Sequence, residues 1–273
     1  MCVFYQVSNL GLLELLNYHT HTKINIMKKK SSILILVSLL LIIGCRKKTN
    51  PPTSPVSFTG TVYKTIGTTD NSGKPNNMAS DVISNNLSSF LANTLPERVD
   101  LRTTKPELLS NPAIADLRIT ARSNVFITFV SQGTQFANAI AFYTYPTNSP
   151  PASAKDIKEI SYVFPNAGNL TPLNAGDKVN IGTFDSGTSV GFVLLKDAWN
   201  STTKTLNNEA VHFCSNDVLN PEFDPALKKH AVLINYSAEN KVLIGFEDID
   251  RTNFRCDHDF NDVVVYATVV PGS

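Results

Sequence analysis

From Ile114 onward the chain is a succession of short apolar runs, and this pattern limits its fold more than any other feature of its 273 residues. The runs are Asp116 to Thr120, Val125 to Ser131, Ala139 to Tyr145, Ile160 to Phe164, Lys178 to Phe184, Ser189 to Lys196, Ala210 to Phe213, His230 to Tyr236, Lys241 to Phe246 and Asp262 to Val269. They are rich in Val, Ile, Phe and Tyr, and Gly, Pro, Asn and Asp clusters separate them. Such runs are strands joined by turns, because branched and aromatic side chains pack on a pleated surface while the separating residues supply turn backbone. No helical period alternates with them, which argues against a parallel sheet covered by helices. The expected fold is mainly all-β, a jelly-roll-like antiparallel β-sandwich over residues 111–273. Ahead of it, residues 59–110 read as an extension carrying one amphipathic helix. Val82, Ile83, Leu87, Phe90, Leu91 and Leu95 recur at helical spacing between Ala79 and Leu95, Ser80 or Asp81 offers an N-cap, and Pro96 is the stop.

The front of the chain reads as an export signal. Lys28, Lys29 and Lys30 follow Met27, an apolar run from Ile33 to Ile43 comes next, and Gly44-Cys45 closes it. That run is too short for a permanent span, which needs about 20 apolar residues. Ile42-Ile43-Gly44-Cys45 resembles a bacterial lipobox, in which the Cys becomes the lipidated first residue. The expected layout is a start-site misassignment over 1–26, a signal peptide over 27–44, and a lipidated Cys45 with a Pro-containing tether over 45–58. Arg46, Lys47 and Lys48 then lie next to the membrane, where basic residues meet anionic headgroups.

Charge has to be read against that layout. The whole chain has 24 basic and 23 acidic residues, a formal net charge of +1, which excludes a polybasic nucleic-acid binder. Without residues 1–44 the balance is 20 basic to 22 acidic. Six of those acids, Glu247, Asp248, Asp250, Asp257, Asp259 and Asp262, fall within sixteen residues between two strand-like runs. A hairpin tip of this kind brings its two ends together. Packed carboxylates repel unless protons or a cation neutralise them, and hard oxygen donors favour Ca²⁺ over a transition metal. Asp257-x-Asp259-x-Asn261 has the opening spacing of an EF-hand, but Asp262 stands at the Gly position, Thr268 stands at the closing Glu position, and a strand follows. The remaining readings are a calcium loop of another architecture and a solvated acidic turn.

Glu247-Asp248 followed by Asp257-His258-Asp259-Phe260-Asn261-Asp262-Val263-Val264 resembles the signature of an uncharacterised domain family found in the C-terminal part of LruC-type bacterial lipoproteins and in large secreted surface proteins. Upstream stretches match in the family's order, among them Val125 to Val130, Asn138 to Tyr145, Phe164 to Ala167, Gly176 to Val179 and Leu219-Asn220-Pro221-Glu222, so that the resemblance covers roughly Pro96 to Val270. The resemblance implies a β-sandwich with a calcium site. By position, the ligands it implies are Glu247, Asp248, Asp257, Asp259 and Asp262, with Asn261 beside them.

Cys214 and Cys256 are the thiols left once Cys2 and Cys45 are set aside. In an exported protein they are expected to form a disulfide that pins the acidic loop. The competing constellation is zinc held by His212-x-Cys214 and Cys256-x-His258, whose one-residue gaps are tighter than the usual knuckle spacing. Gly187-Thr188-Ser189-Val190-Gly191 has the letters of a hydrolase elbow, but a strand follows where the elbow requires a helix, so the glycines read as a turn and a close-packed strand position. Phe142, Tyr143 and Tyr145 read as packing residues, with an exposed subset able to stack on sugars.

The functional expectation is an outer-membrane lipoprotein of a bacterial cell envelope, anchored through Cys45, with a calcium-stabilised module that binds a glycan or protein or serves a structural role. The alternatives are a glycan-acting hydrolase using Glu247 and Asp259, and an adhesin that uses the aromatic strands.

Overall fold

A computed structural model describes residues 56–110, 112 and 115–272. The expected start-site segment, signal peptide, Cys45 and most of the tether lie outside the described residues. No helix among the described residues is long and apolar enough to cross a membrane. Among the described residues fourteen strands follow in chain order: β1 Val62–Thr65, β2 Met78–Ser80, β3 Leu117–Arg118, β4 Ser123–Gln132, β5 Ala139–Pro146, β6 Glu159–Phe164, β7 Asp177–Phe184, β8 Thr188–Leu195, β9 Trp199–Asn200, β10 Thr205–Leu206, β11 His212–Cys214, β12 Ala231–Tyr236, β13 Lys241–Phe246 and β14 Val263–Pro271. Each of the ten expected runs overlaps one of these strands. β1, β2, β9 and β10 had no counterpart among them.

Two six-stranded sheets and a separate β9-β10 pair result. One runs β1-β6-β5-β8-β11, with β3 also on β8, and the other runs β12-β13-β14-β4-β7-β2. Pairing is antiparallel except between β1 and β6. β1 and β2, both from the stretch ahead of residue 111, are edge strands of these sheets. Period-two alternation assigns the faces. In the first sheet Ile140, Phe142, Val190, Phe192 and Leu194 point one way, and in the second Val125, Ile127, Phe129, Ile244, Phe246, Val263 and Val265 join them in one continuous core. The alternate residues bury outward. Ala139, Ala141, Tyr143, Val193 and Leu195 pack under Phe58, Ile157 and Leu219, and Val232, Leu243, Val264 and Tyr266 pack under a helix.

That helix, α1, is Asn85–Thr94, shorter than the Ala79 to Leu95 expected. Residues 78–80 pair with β7 instead, and the cap is Ser84, whose Oγ accepts the Leu87 N–H at 3.0 Å. A strand partner outcompeted the helical period at the N-terminal end. Leu87, Leu91 and Leu95 bury against the second sheet and Phe260. Two single turns, α2 (Leu101–Thr104) and α3 (Pro106–Leu109), follow.

The loop between β13 and β14 crosses directly over Gly245. A Cβ there would lie 2.3 Å from the Phe260 carbonyl oxygen and 2.7 Å from Leu95 Cδ1. Backbone cannot yield as a side-chain tip does, so Gly245→Ala is expected to destabilise by about 1–3 kcal/mol. A shift of the urea midpoint to lower concentration at unchanged slope is the readout, and an unchanged midpoint would show that the loop can move aside.

Candidate metal centre

Three strand ends converge at the acidic loop. Phe246 at the end of β13 pairs with Val263 at the start of β14, and Val263 pairs with Gln132 at the end of β4. Glu247, Asp262 and Gly133 are the next residues beyond these pairs, and the Gly133 N–H donates to the Asp262 carbonyl at 3.0 Å. A register shift between Val264 and Val265 leaves β4 with one extra residue here, a bulge of the kind that re-aims side chains at strand ends.

The returning half of the loop is bent by left-handed backbone at His258 (φ 61) and Phe260 (φ 59). Phe260 buries completely in the pocket made by α1 and the second sheet, which compensates a conformation that bulky residues avoid. Between these two lies Asp259. Its Oδ2 accepts the Arg98 N–H at 2.8 Å and its Oδ1 the Asn261 N–H at 3.1 Å. Asn261 Nδ2 in turn donates to the Leu95 carbonyl at 3.2 Å, so the end of α1 helps place this carboxylate.

Glu247, Asp257 and Asp259 are brought together: one carboxylate oxygen from each lies within 4.8 Å of the others, the one such group of His, Cys, Asp or Glu among the described residues. Glu247 and Asp259 are buried and Asp257 is exposed. Glu247 Oε2 is buried with no hydrogen-bond partner. The other three expected ligands have different engagements. Asp248 Oδ2 accepts from the Thr134 hydroxyl and Asn138 Nδ2, Asp262 Oδ2 accepts the Asp248 N–H at 2.7 Å, and Asn261 is tied to α1. Asp248 Oδ1 remains buried and unpartnered. Asp250 belongs to a turn, accepting the Thr252 N–H at 2.8 Å. Thr134, Asn138 and the Arg98 amide were not singled out in the sequence, because neutral polar residues and backbone groups give no charge pattern to find.

The electrostatics follow from burial. Asp259 is pushed up to about 6, first by burial and then by Asp257 and Glu97, against the bonds from Arg98 and Asn261. Burial also raises Glu247, with Asp257 and Asp259 adding to it. Asp262 rises through burial and the charges of Asp248 and Glu247. The only buried cation in the loop is Arg251, which lies over the Phe260 ring at 5.1 Å and donates through Nε to His258 Nδ1 at 3.2 Å. His258 is accordingly held down, to about 4, by burial and by Arg251.

The expected disulfide is corrected: Cys214 and Cys256 are both free and buried. Cys214 packs in the outer cluster of the first sheet, whereas Cys256 Sγ lies 3.1 Å from His258 Nδ1 inside the loop. Among the described residues the His212, Cys214, Cys256 and His258 set is not gathered for zinc either. His212 donates from Nδ1 to the Ala210 carbonyl at 2.7 Å, accepts from the Tyr63 hydroxyl at Nε2 (2.8 Å), and stacks on Phe58. The elbow letters resolve as turn and strand. Gly187 has φ 86 in the turn before β8, and a Cβ on Gly191 would lie 2.2 Å from Tyr143 Cζ. Tyr143 is buried, and the Tyr145 hydroxyl donates to Asp116 Oδ2 at 2.6 Å.

These shifts have a sign that can be measured. An acid raised in the folded state binds protons there that the unfolded chain has released, so its stabilising contribution is whole below about pH 4 and is lost as pH rises. With chelator present, the loop's contribution should fall from pH 4 upward through Asp259 at about 6 and on through Glu247 and Asp262. Asp259→Asn should flatten the part of the melting-temperature profile between pH 4 and 7, and a profile identical to wild type would remove Asp259 from this account.

No curated protein and no solved structure matches the chain. Residues 184–269, which carry β8 to β13, most of β14 and the whole acidic loop, match the family model described as a domain of unknown function, DUF4114.

Proposed function

We propose that the chain is a lipid-anchored protein of a bacterial cell envelope whose β-sandwich uses Ca²⁺ to fix the loop from Glu247 to Asp262, and that it serves as a binding or structural module. One observation carries the metal reading: three carboxylates converge within 4.8 Å while a buried Glu247 oxygen lacks any partner. An orphaned buried carboxylate oxygen costs free energy that a cation would recover. The donor set is all oxygen, which suits Ca²⁺. Glu247, Asp257 and Asp259 are the ligands; Asp248 and Asp262 tie the two halves of the loop together and deepen the negative potential. The jelly-roll wind rests on the crossings between sheets from β4 to β8, before the chain ends in the β12-β13-β14 meander.

Hydrolysis by paired carboxylates requires a substrate cleft at both acids. A cavity of about 590 Å³ does adjoin the loop, but Leu91, Leu95, Glu97, Gln132 and Asn261 line it rather than Glu247 or Asp259. Adhesion through the aromatic strands loses support because Tyr143 is buried.

Calcium should raise the melting temperature. At a free concentration about 100 times the dissociation constant, mass action contributes about 2.7 kcal/mol, roughly 5–10 °C for a domain of this size. Glu247→Gln should reverse sign between conditions, melting higher than wild type in chelator, where it removes a repelling charge, and gaining little from calcium. Equal curves for both proteins with and without calcium would sink the metal reading. The anchor is tested separately: Cys45→Ala should abolish lipid labelling and release the protein from the membrane fraction, and retention there would refute it.

A further inference from the structure

We infer that Glu222 and His230 are positioning residues of the cation site, holding the backbone of Glu247 to Arg251 in place from behind; this rests on the calcium reading above. His230 brackets Glu247 twice. The Glu247 N–H donates to the His230 carbonyl at 3.0 Å, and His230 Nδ1 lies 2.8 Å from the Glu247 carbonyl oxygen. A carbonyl only accepts, so Nδ1 carries the hydrogen. The imidazole is stacked on Phe213 with centroids 3.9 Å apart, which fixes its plane. Its other nitrogen, Nε2, contacts Glu222 Oε1 at 2.6 Å, and both side chains are fully buried.

The same Glu222 oxygen accepts the Arg251 N–H at 3.3 Å. One carboxylate oxygen therefore controls both ends of the segment that begins with the ligand Glu247, through an imidazole at one end and directly at the other. Glu222 is itself anchored two residues upstream. Asn220 Oδ1 accepts the Cys214 N–H at 2.6 Å, and Asn220 Nδ2 donates to the Cys214 carbonyl at 2.8 Å and the Lys228 carbonyl at 2.6 Å. The line of support thus runs from β11 of the first sheet, through Asn220 and Glu222, to the loop at the mouth of β13. From Arg251 it continues to His258, next to Asp257 and Asp259, and so reaches both halves of the site. This gives the Leu219-Asn220-Pro221-Glu222 stretch, which leaves the 3-10 turn Asp217–Leu219, a role in the site.

Groups behind the ligands set how well a site is formed before the ion arrives, and their loss typically weakens metal binding about 10–100-fold. Glu222→Ala should weaken calcium binding by about that factor. Glu222→Gln keeps the volume and is the variant expected to fold most normally. Its amide can face Arg251 N–H with an oxygen or His230 Nε2 with an NH₂, but cannot satisfy both around a neutral imidazole, so a weakening of roughly 3–10-fold is expected. Calcium titration calorimetry on the purified protein supplies the dissociation constants. Amide hydrogen exchange in chelator supplies a readout independent of the ion: the amides of residues 247–251 should exchange faster in both variants while β13 and β14 stay protected. Asp116→Asn alters a partly buried carboxylate just before β3 that Tyr145 and Ser215 hold; it should lower the melting temperature and move neither readout. Unchanged calcium affinity in both Glu222 variants would overturn the inference. If wild type binds no calcium, the calcium reading fails by itself and exchange still decides: faster exchange at 247–251 supports the positioning role, and unchanged exchange removes it.

Discussion

The crowding of carboxylates at the mouth of β13 and β14 is the constraint around which the rest of this structure is arranged. Once Phe246 pairs with Val263, Glu247 and Asp262 stand at adjoining strand ends, and the loop between them returns Asp257 and Asp259 to the same place. In water these charges would interact weakly. Burial removes the screening, so each acid pushes its neighbours toward protonation and one oxygen of Glu247 and one of Asp248 face no donor. The folded state tolerates this arrangement through protons, a cation, or both, and the choice between them changes with pH.

Holding such a loop requires support from several directions. Gly245 lets the Phe260 backbone approach the sheet; Phe260 fills the space under Leu87, Leu91 and Leu95; and the end of α1 contributes the Leu95 carbonyl, and the turn after it the Arg98 amide, to the returning half. On the other side Thr134 and Asn138, beyond the end of β4, hold Asp248. The inner face of β14 belongs to the central core and its outer face to the layer under α1, so a change that loosens either layer is transmitted to the residue before it, Asp262. Site geometry and sheet packing are therefore one problem here.

Strand positions were legible in the sequence because period two is a local property and the buried faces are strongly apolar. The concentration of acids was legible for the same reason, being a matter of composition over sixteen residues. The start of α1 was misjudged because residues 78–80 have a β7 partner far along the chain, and a propensity pattern carries no information about that partner. The cysteines illustrate the limit most directly. An expectation of export made a disulfide reasonable, yet pairing depends on which surfaces two distant residues reach, and Cys214 faces the outer layer of the first sheet while Cys256 turns toward His258.

The sequence by itself determined a mainly β chain with one amphipathic helix and one intensely acidic hairpin tip, since each is written in neighbouring residues. Only the tertiary structure decided which acids meet. It gathered Glu247, Asp257 and Asp259, turned the Asp262 carboxylate toward the Asp248 backbone and the Asp248 carboxylate toward Thr134 and Asn138, and placed Glu222 and His230 behind Glu247. The physical reason is that a carboxylate's role follows from the donors and charges around it, and here nearly all of those come from segments distant in the chain.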